Sequence, residues 1–476
     1  KRYAGKFLLR IEDTDRERNN PEALSAILDG LRWLELDWDG DPISQYSRSN
    51  RHKEIAFSLL STRNAYRCYM TANELDSMRK QAEADKKPLT IKSPWRDKDE
   101  TEAPKDQPFV IRLKAPREGI TEVDDRVQGF VTFPNKDLDD LILLRSDGSP
   151  TYNLSVVVDD HDMGITHIIR GVDHLTNAAR QTQIYNAMKW KIPVWCHVPL
   201  IHGSDGSKLS KRHGAQGVDE YRSMGYLPEA LRNYLARLGW SHGDDEIIST
   251  KQLQDWFDID NINKSAARFD FKKLDDLNAH YIRHAKEETL MKLIRNMLEH
   301  INFSSFDTLS LDPKSPPRSD VNLAHEIKSL LYKSDIKTGN DLIKRFDFFS
   351  WEGVLSALPS MKERAKTLCD LVVGLLYLIA DRPLNLDQKA RKIIDAEKQG
   401  SLQELLSLFS ETKLWTANEL EKQLRIVSEE KGLKLGQIAQ PLRAALTGRT
   451  VSPPVFNVME ILGKEEVLLR LKDQLG

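Results

Sequence analysis

Phe7-Leu8-Leu9-Arg10-Ile11-Glu12-Asp13-Thr14-Asp15 opens the chain on a short apolar run that ends in a dense polar knot. The run has the pattern of a buried parallel strand. Asn20-Pro21-Glu22 follows as a helix start, with Asn as cap and Pro at the first helical position. Leu24, Ile27, Leu28, Leu31 and Leu34 then keep one apolar face for about three turns. A strand that ends in charge and feeds a helix is the unit of an α/β nucleotide-binding layer. In open sheets of that kind, ligands bind beyond the carboxyl ends of the strands. Glu12 abuts such an end and is placed to receive a cation, such as an amino acid's ammonium. Asp13 and Asp15 read equally well as caps and turn formers.

Further along, Val110-Ile111-Arg112-Leu113 and Leu141-Ile142-Leu143-Leu144 read as strands, the second followed by a Ser146-Asp147-Gly148-Ser149 turn. Residues 86–108, dense in Lys, Pro, Asp and Glu, read as an irregular insertion or exposed loop. Val156 to Met163 fits a helix closed by Gly164, although its valines also suit a strand. Ile165 to Arg170 and Trp195 to Ile201 are the next strands. Arg170 ends the first of them, where its guanidinium fork suits a carboxylate or a phosphate. A structural salt bridge to Asp159, Asp160 or Asp173 is the alternative. Tyr152 could add a phenolic donor, or simply pack.

The loop His202-Gly203-Ser204-Asp205-Gly206-Ser207-Lys208-Leu209-Ser210-Lys211-Arg212 sets two lysines three apart among small residues. Compact, rotatable ammonium groups can follow charge onto a leaving pyrophosphate. The same loop also reads as a solvated basic turn. His161, His167, His174, His197 and His202 lack metal-ligand spacing and read mostly as strand-end or loop residues. His202 and His213 flank the lysine loop.

After about residue 215 helical periodicity dominates. Thr416 and Glu419 form a capping box ahead of Leu420, Leu424 and Val427, and Gly432 stops that helix. Asp312-Pro313-Lys314-Ser315-Pro316-Pro317 reads as a linker. The reading is an α/β front half and an all-helical back half, with no internal repeat.

Composition narrows the function. The 476 residues are 40% hydrophobic and 30% charged, enough for about three or four domains. The net charge of −2 excludes a generally basic nucleic-acid coat, so a nucleic-acid partner must meet local basic patches. Three scattered cysteines, Cys68, Cys196 and Cys369, fit a reducing compartment. The longest apolar run, Leu371 to Ala380, is far below the ~20 residues of a membrane span and reads as a buried helix.

Five segments in chain order resemble the bacterial glutamyl-tRNA synthetases, class I aminoacyl-tRNA synthetases. They are Arg10 to Asp15, Ser149-Pro150-Thr151-Tyr152-Asn153-Leu154, Val157-Val158-Asp159-Asp160-His161, Lys208-Leu209-Ser210-Lys211-Arg212, and Lys434-Leu435-Gly436-Gln437-Ile438-Ala439-Gln440-Pro441-Leu442-Arg443-Ala444-Ala445-Leu446-Thr447-Gly448. The resemblance implies that ATP, with Mg2+, activates L-glutamate to glutamyl-adenylate, which then passes to the 3′ end of tRNA-Glu. Whether tRNA-Gln is also charged stays open. Glu12 matches the acid that holds the α-ammonium. Tyr152 and Arg170 match the residues that grip the side-chain carboxylate, and Val156 falls in the same glutamate pocket. Lys208 and Lys211 match the catalytic lysines, and Lys208, Leu209, Ser210, Lys211 and Arg212 the ATP-binding signature. Leu209 and Arg212 replace the Met and last Ser of the class pattern. Arg443 would face the anticodon, with Arg364 a second contact.

The implied architecture is an α/β Rossmann-type catalytic core with an α+β insertion, followed by all-α C-terminal domains. Residues 1–55 and 151–213 are expected to form the core and 56–150 the acceptor-stem insertion. Residues 214–300 would be a helical stem-contact domain and 301–476 an anticodon-binding region of two bundles. The family's first strand, with its arginine for glutamate, Pro-Ser-Pro-Thr-Gly run and His-x-Gly helix start, is expected upstream of Lys1 in a longer protein. Some relatives carry a zinc site in the insertion; Cys68 stands alone here, so none is expected. A cytoplasmic monomer without membrane contact is the implied setting. A glutaminyl-tRNA synthetase-like enzyme, a short glutamyl transferase acting on a tRNA nucleoside and a non-catalytic tRNA- or protein-binding paralogue are the alternatives.

Overall fold

The structure, a computed structural model, describes residues 4–14, 21–85, 91, 93–203, 205–209, 217–304, 318–349, 351–396 and 400–475. Ser210, Lys211, Arg212, His213 and the 312–317 segment lie outside them. The chain forms two compact units, one of residues 1–209 and 235–269, the other of residues 210–234 and 270–476.

In the first unit β1 (Arg10–Ile11) pairs in parallel with β2 (Ile43–Ser44), across the helix α1 (Pro21–Trp33). Hydrogen bonding runs beyond these short strands: the carbonyls of Phe7, Leu9 and Ile11 accept from the backbone N–H groups of Asp39, Ile43 and Gln45. The expected strand is therefore present but is not fully buried. Phe7 is exposed and Leu8 and Leu9 are half-buried, since β2 is the only strand paired with it among the described residues. α1 likewise starts at Pro21 as expected, with Asn20 outside the described residues; of its apolar positions Ile27 is exposed, Leu24, Leu28 and Leu31 are half-buried, and Leu34, just past its end, is buried.

Helix α2 (Ser49–Ser61) follows, then β3 (Ala65–Cys68), helix α3 (Ala72–Ala84) and β4 (Val110–Leu113). Next come the hairpin β5 (Ile120–Asp125) and β6 (Gly129–Pro134), and then β7 (Ile142–Leu144). β3, β4 and β7 make an antiparallel sheet. Helix α4 (Tyr152–Asp162) shows that the Val156–Val158 run is helical. Its residues 154–160 are buried without exception, so the valines pack on every side and a strand is not needed to bury them. β8 (His167–Gly171), helix α5 (Leu175–Ala187) and β9 (Val194–Val198) complete a strand–helix–strand unit, and β8 and β9 pair in parallel. The sheet order β6-β5-β9-β8 joins the hairpin to this pair. Leu59, Leu113, Leu143, Val158, Ile184 and Trp195 lie in its core.

The expected strand from Trp195 to Ile201 is split. β9 ends at Val198 and β10 (Ile201–His202) begins after Pro199, which has no N–H to offer a ladder. β10 pairs in parallel with β11 (Ala267–Arg268), a strand inside the stretch expected to be helical. Its two residues carry no alternation that a sequence pattern could register.

The second unit is helical among its described residues. One apolar cluster runs through it from Leu227 to Leu471, including Leu290, Phe346, Leu371, Phe409, Leu442 and Val467. The Leu371–Ala380 run is buried as expected except for half-buried Val373 and Gly374, and its helix (Leu368–Leu375) tightens into a 3-10 turn at Leu376–Leu378. Thr416 Oγ1 accepts from the N–H of Glu419, and Gly432 adopts φ 63° just after the helix Ala417–Glu430. Gly225 is held at φ 81°, and a Cβ there would stand 2.7 Å from the Cys369 nitrogen and 2.8 Å from that of Leu368. Backbone cannot withdraw from such a contact as a side chain can. Gly225→Ala is expected to destabilise the second unit by about 2 kcal/mol or more. Denaturant unfolding of the intact protein checks it; a loss below about 0.5 kcal/mol would contradict the crowding.

Candidate active site

The turn after β7 sets the site. Thr151 donates from its backbone N–H to Leu143 O (2.9 Å) and from Oγ1 to Ile142 O (2.6 Å), which fixes Tyr152 as the first residue of α4. Val156 lies one turn further on the same helix and is buried. Asp159 and Asp160 occupy the next turn.

These two buried carboxylates are both spoken for. Asp159 accepts from His52 Nε2 (2.8 Å), Arg48 Nε (2.6 Å) and Gln45 Nε2 (2.9 Å). Asp160 accepts from Arg10 Nη1 at 2.8 Å. Burial raises Asp160 above the usual carboxylate range against the pull of Arg10. Arg10 in turn lies 3.8 Å from Glu12, whose side chain is about half exposed. Asp173 binds Lys208 Nζ at 3.0 Å. The aspartates that could have neutralised Arg170 thus have other partners, and among the described residues Arg170 makes no ion pair.

Arg170 is held by neutral groups instead. Its Nε donates to His197 Nε2 at 3.0 Å and its Nη2 to His174 O at 3.4 Å, and the guanidinium carbon lies 5.3 Å from the centre of the Trp195 ring. The Tyr152 hydroxyl also interacts with it. Burial lowers the Arg170 pKa, opposed by Tyr152 and Asp160. Burial raises the Tyr152 phenol, with Arg170 lowering it and Glu12 raising it. Glu12, Tyr152, Asp160 and Arg170 therefore share one electrostatic neighbourhood at the carboxyl ends of β1 and β8. A cationic fork, a phenol and an acid are thus brought together, a set that can hold a zwitterion bearing a second carboxylate.

His197, expected at a strand end or in a loop, is inside β9 and wholly buried. Its Nδ1 lies 2.5 Å from Asp125 Oδ2. Asp125 also accepts from the backbone N–H groups of Val127, Gln128 and His197. Sequence reasoning missed this pair, because Asp125 and His197 are 72 positions apart and meet only where β5 joins β9. A histidine at a position that must be buried in the apolar Val194–Val198 run was the available signal.

The lysine loop is described as far as Leu209. His202 bridges Lys208, Leu209 N donates to Ile201 O, and Lys208 is exposed apart from its bond to Asp173. Asp173 sits three residues past Arg170, so the loop's first lysine is tied to the same sheet end. Cys68 is buried against Ser93 Oγ (3.3 Å). No cluster of three potential metal ligands occurs among the described residues, and no helix there is long and apolar enough to cross a membrane.

In the second unit an open cleft of about 1410 Å³ is lined by Arg364, Lys366, Tyr377, Gln440, Arg443 and Arg449, among others. Arg443 Nη1 donates to Ser452 O, Ser452 Oγ and Pro453 O at 2.6–2.9 Å. Burial and the like charge of Arg364 both lower its pKa. Arg449, by contrast, is neutralised by Glu326 at 2.7 Å.

Burial alone would raise Asp125, but the bonds from His197 and the backbone N–H groups win and hold it at about 2 against a usual 3.8. A depressed carboxylate stabilises the fold fully above ~4 and loses that contribution as pH falls toward the folded value. The amount is about 2 kcal/mol. Stability of the intact protein should therefore fall more steeply between pH 4 and pH 2 than that of Asp125→Asn, as read by thermal melts. Parallel profiles would contradict this contribution of Asp125.

The chain is similar to known proteins along nearly its whole length. The family "tRNA synthetases class I (E and Q), catalytic domain" matches residues 1–276, and "Anticodon binding domain" matches residues 322–475. The Brucella ovis protein named "Glutamate--tRNA ligase 2" is 52% identical over 476 residues, all of this chain and 93% of the relative. The "Glutamate--tRNA ligase" of Azorhizobium caulinodans is 52% identical over 474 residues, with the same coverage of 100% and 93%. Among solved structures, a glutamate tRNA ligase from Elizabethkingia meningosepticum in complex with its amino acid aligns with a TM-score of 0.75. It shares 28% identity and covers 99% of this chain and 92% of its own. The glutamate-tRNA synthetase of Elizabethkingia anophelis aligns at 0.73, again with 28% identity, over 99% and 93% of the two chains. The half-buried Arg170, with the Tyr152 phenol beside it and no ion pair among the described residues, thus sits in a chain that belongs to the glutamate–tRNA ligases of the class I tRNA synthetases.

Proposed function

We propose that this protein condenses L-glutamate with ATP to glutamyl-adenylate and transfers the glutamyl group to the 3′ end of tRNA-Glu. The observation that carries the reading is Arg170: a half-buried guanidinium with no carboxylate partner among the described residues, next to the Tyr152 hydroxyl. Leaving such a charge unpaired is costly unless a ligand supplies the counter-charge. In this reading Arg170 and Tyr152 take the side-chain carboxylate, Glu12 takes the α-ammonium, and Val156 backs the pocket. Glutamine offers no charge to the guanidinium, which disfavours it.

The chemistry is positioning and electrostatics. An α-carboxylate oxygen forms a bond to the α-phosphorus as the bond to the pyrophosphate oxygen breaks. Lys208 and Lys211 follow the charge onto pyrophosphate, with Leu209, Ser210 and Arg212 completing the ATP-binding loop and Mg2+ entering with ATP. Lys208 exchanges Asp173 for triphosphate as ATP binds. A terminal ribose hydroxyl of tRNA then attacks the glutamyl carbonyl and AMP leaves. Arg443, with Arg364, reads the anticodon in the cleft of the helical unit. The five-part domain division, a monomer in the cytoplasm and the lack of a structural zinc belong to the same proposal. The helical character of the described residues from 270 onward supports it over a glutaminyl-tRNA synthetase-like enzyme, whose back half would be β-barrels.

Glutamate-dependent ATP–pyrophosphate exchange by the intact protein, with and without tRNA-Glu, tests the reading; no exchange in either condition would overturn it. Lys211→Ala is expected to slow adenylation about 100-fold while glutamate affinity changes little. Equal losses in rate and affinity would mean that Lys211 only binds. Arg443→Ala should raise the KM for tRNA about tenfold, a contact of about 1–3 kcal/mol, with the KM for ATP unmoved. An unchanged tRNA KM would remove Arg443 from the anticodon site.

A further inference from the structure

We infer that Asp125 and His197 form a positioning relay that aims Arg170 while leaving its positive charge for the ligand, and so helps set the preference for a charged over a neutral side chain. The inference rests on the reading that Arg170 holds the substrate's side-chain carboxylate.

The geometry fixes the proton positions. Asp125 Oδ2 stands 2.5 Å from His197 Nδ1, so that nitrogen carries the proton and donates it. Nε2 is then a bare acceptor, and it takes the Nε–H of Arg170 at 3.0 Å. Each member is locked in turn. Asp125 is 2% exposed and is bound by three backbone N–H groups, and His197 is fully buried with its carbonyl accepting from Gln128 Nε2 at 2.7 Å. Trp195, 2% exposed, lies against the guanidinium from the same strand.

The choice of a neutral acceptor matters. A carboxylate touching Arg170 would orient it equally well, but would neutralise it internally, and a charged ligand would then gain little over an amide. Neutral imidazole satisfies the same N–H without that cost, and the compensating carboxylate is set back behind the ring. Asp159, Asp160 and Asp173 are all drawn to other cations, which leaves Arg170 free of a direct counter-ion among the described residues. His197 and Asp125 touch no reacting atom; they act through Arg170.

Aminoacylation kinetics of the intact protein with tRNA-Glu test the relay, using wild type, His197→Phe, His197→Gln, Asp125→Asn and Arg170→Ala. His197→Phe is expected to raise the KM for glutamate about tenfold or more, and to lower the preference for glutamate over glutamine by a similar factor. The KM for ATP should move less than about threefold. His197→Gln, whose amide oxygen can accept from Arg170, should recover most of that loss. Asp125→Asn, which can turn the imidazole proton toward Arg170, should mimic His197→Phe. A His197→Phe protein with the wild-type KM for glutamate overturns the relay, as does a His197→Gln loss as large as that of His197→Phe. Parallel rises in the KM for glutamate and ATP would also overturn it, by marking a merely structural role. If His197→Phe does not fold, the contrast between His197→Gln and Asp125→Asn decides by the same criteria. Arg170→Ala separates the two levels: an unchanged glutamate KM there removes the underlying reading itself, whereas a raised KM there with none in the relay variants removes only the relay.

Discussion

The structure turns on a guanidinium that the protein declines to neutralise. Arg170 sits at the end of β8, half-buried, with a histidine, a carbonyl and an aromatic ring around it and no carboxylate in contact among the described residues. Burying a charge without a partner costs several kcal/mol, and folded chains usually avoid it. Here the surrounding acids are each held elsewhere, Asp159 by Arg48 and His52, Asp160 by Arg10, Asp173 by Lys208. On the proposed reading, in which Arg170 takes a substrate carboxylate, binding relieves that cost and a folding cost becomes binding selectivity.

The fold makes that arrangement possible through the parallel pair β8 and β9. Register sets Arg170 opposite His197 across the pair, and the joining of β5 to β9 brings Asp125 behind the histidine. α4 contributes from the other side, carrying Tyr152 at its first turn and Asp160 two turns later. Helix and strands are both rigid elements, so Tyr152, Arg170, His197 and Asp125 hold their positions without depending on loops. Glu12, just past β1, and the lysine loop lie outside such elements, and exposed Lys208 is held there by Asp173.

The helical unit repeats the device in a weaker form. Arg443 is held by two carbonyls and a hydroxyl, while Arg449 nearby is paired with Glu326. One arginine in the cleft is thus structural and another keeps its charge. Two arginines six positions apart in one segment differ only in the company that folding provides.

Much of this was legible in the residues themselves. The helix at Pro21, the capping threonine at 416, the stop at Gly432 and the change from α/β to all-α are local effects of turn chemistry and periodicity. The ordered motifs pointed to Glu12, Tyr152 and Arg170 as candidates, and the structure brings these three into one electrostatic neighbourhood, because short polar clusters at strand ends are visible in one dimension. What tertiary structure alone decided was pairing and burial. Nothing local tells which of three aspartates, if any, meets Arg170, that Pro199 splits one strand into two, or that Ala267 and Arg268 join β10. Nor could the chain's order bring Asp125 to His197 across 72 positions. Type and spacing of residues are properties of the sequence; whether a charge is answered by the protein or left for a ligand depends on which distant groups the sheet register brings within about 3 Å.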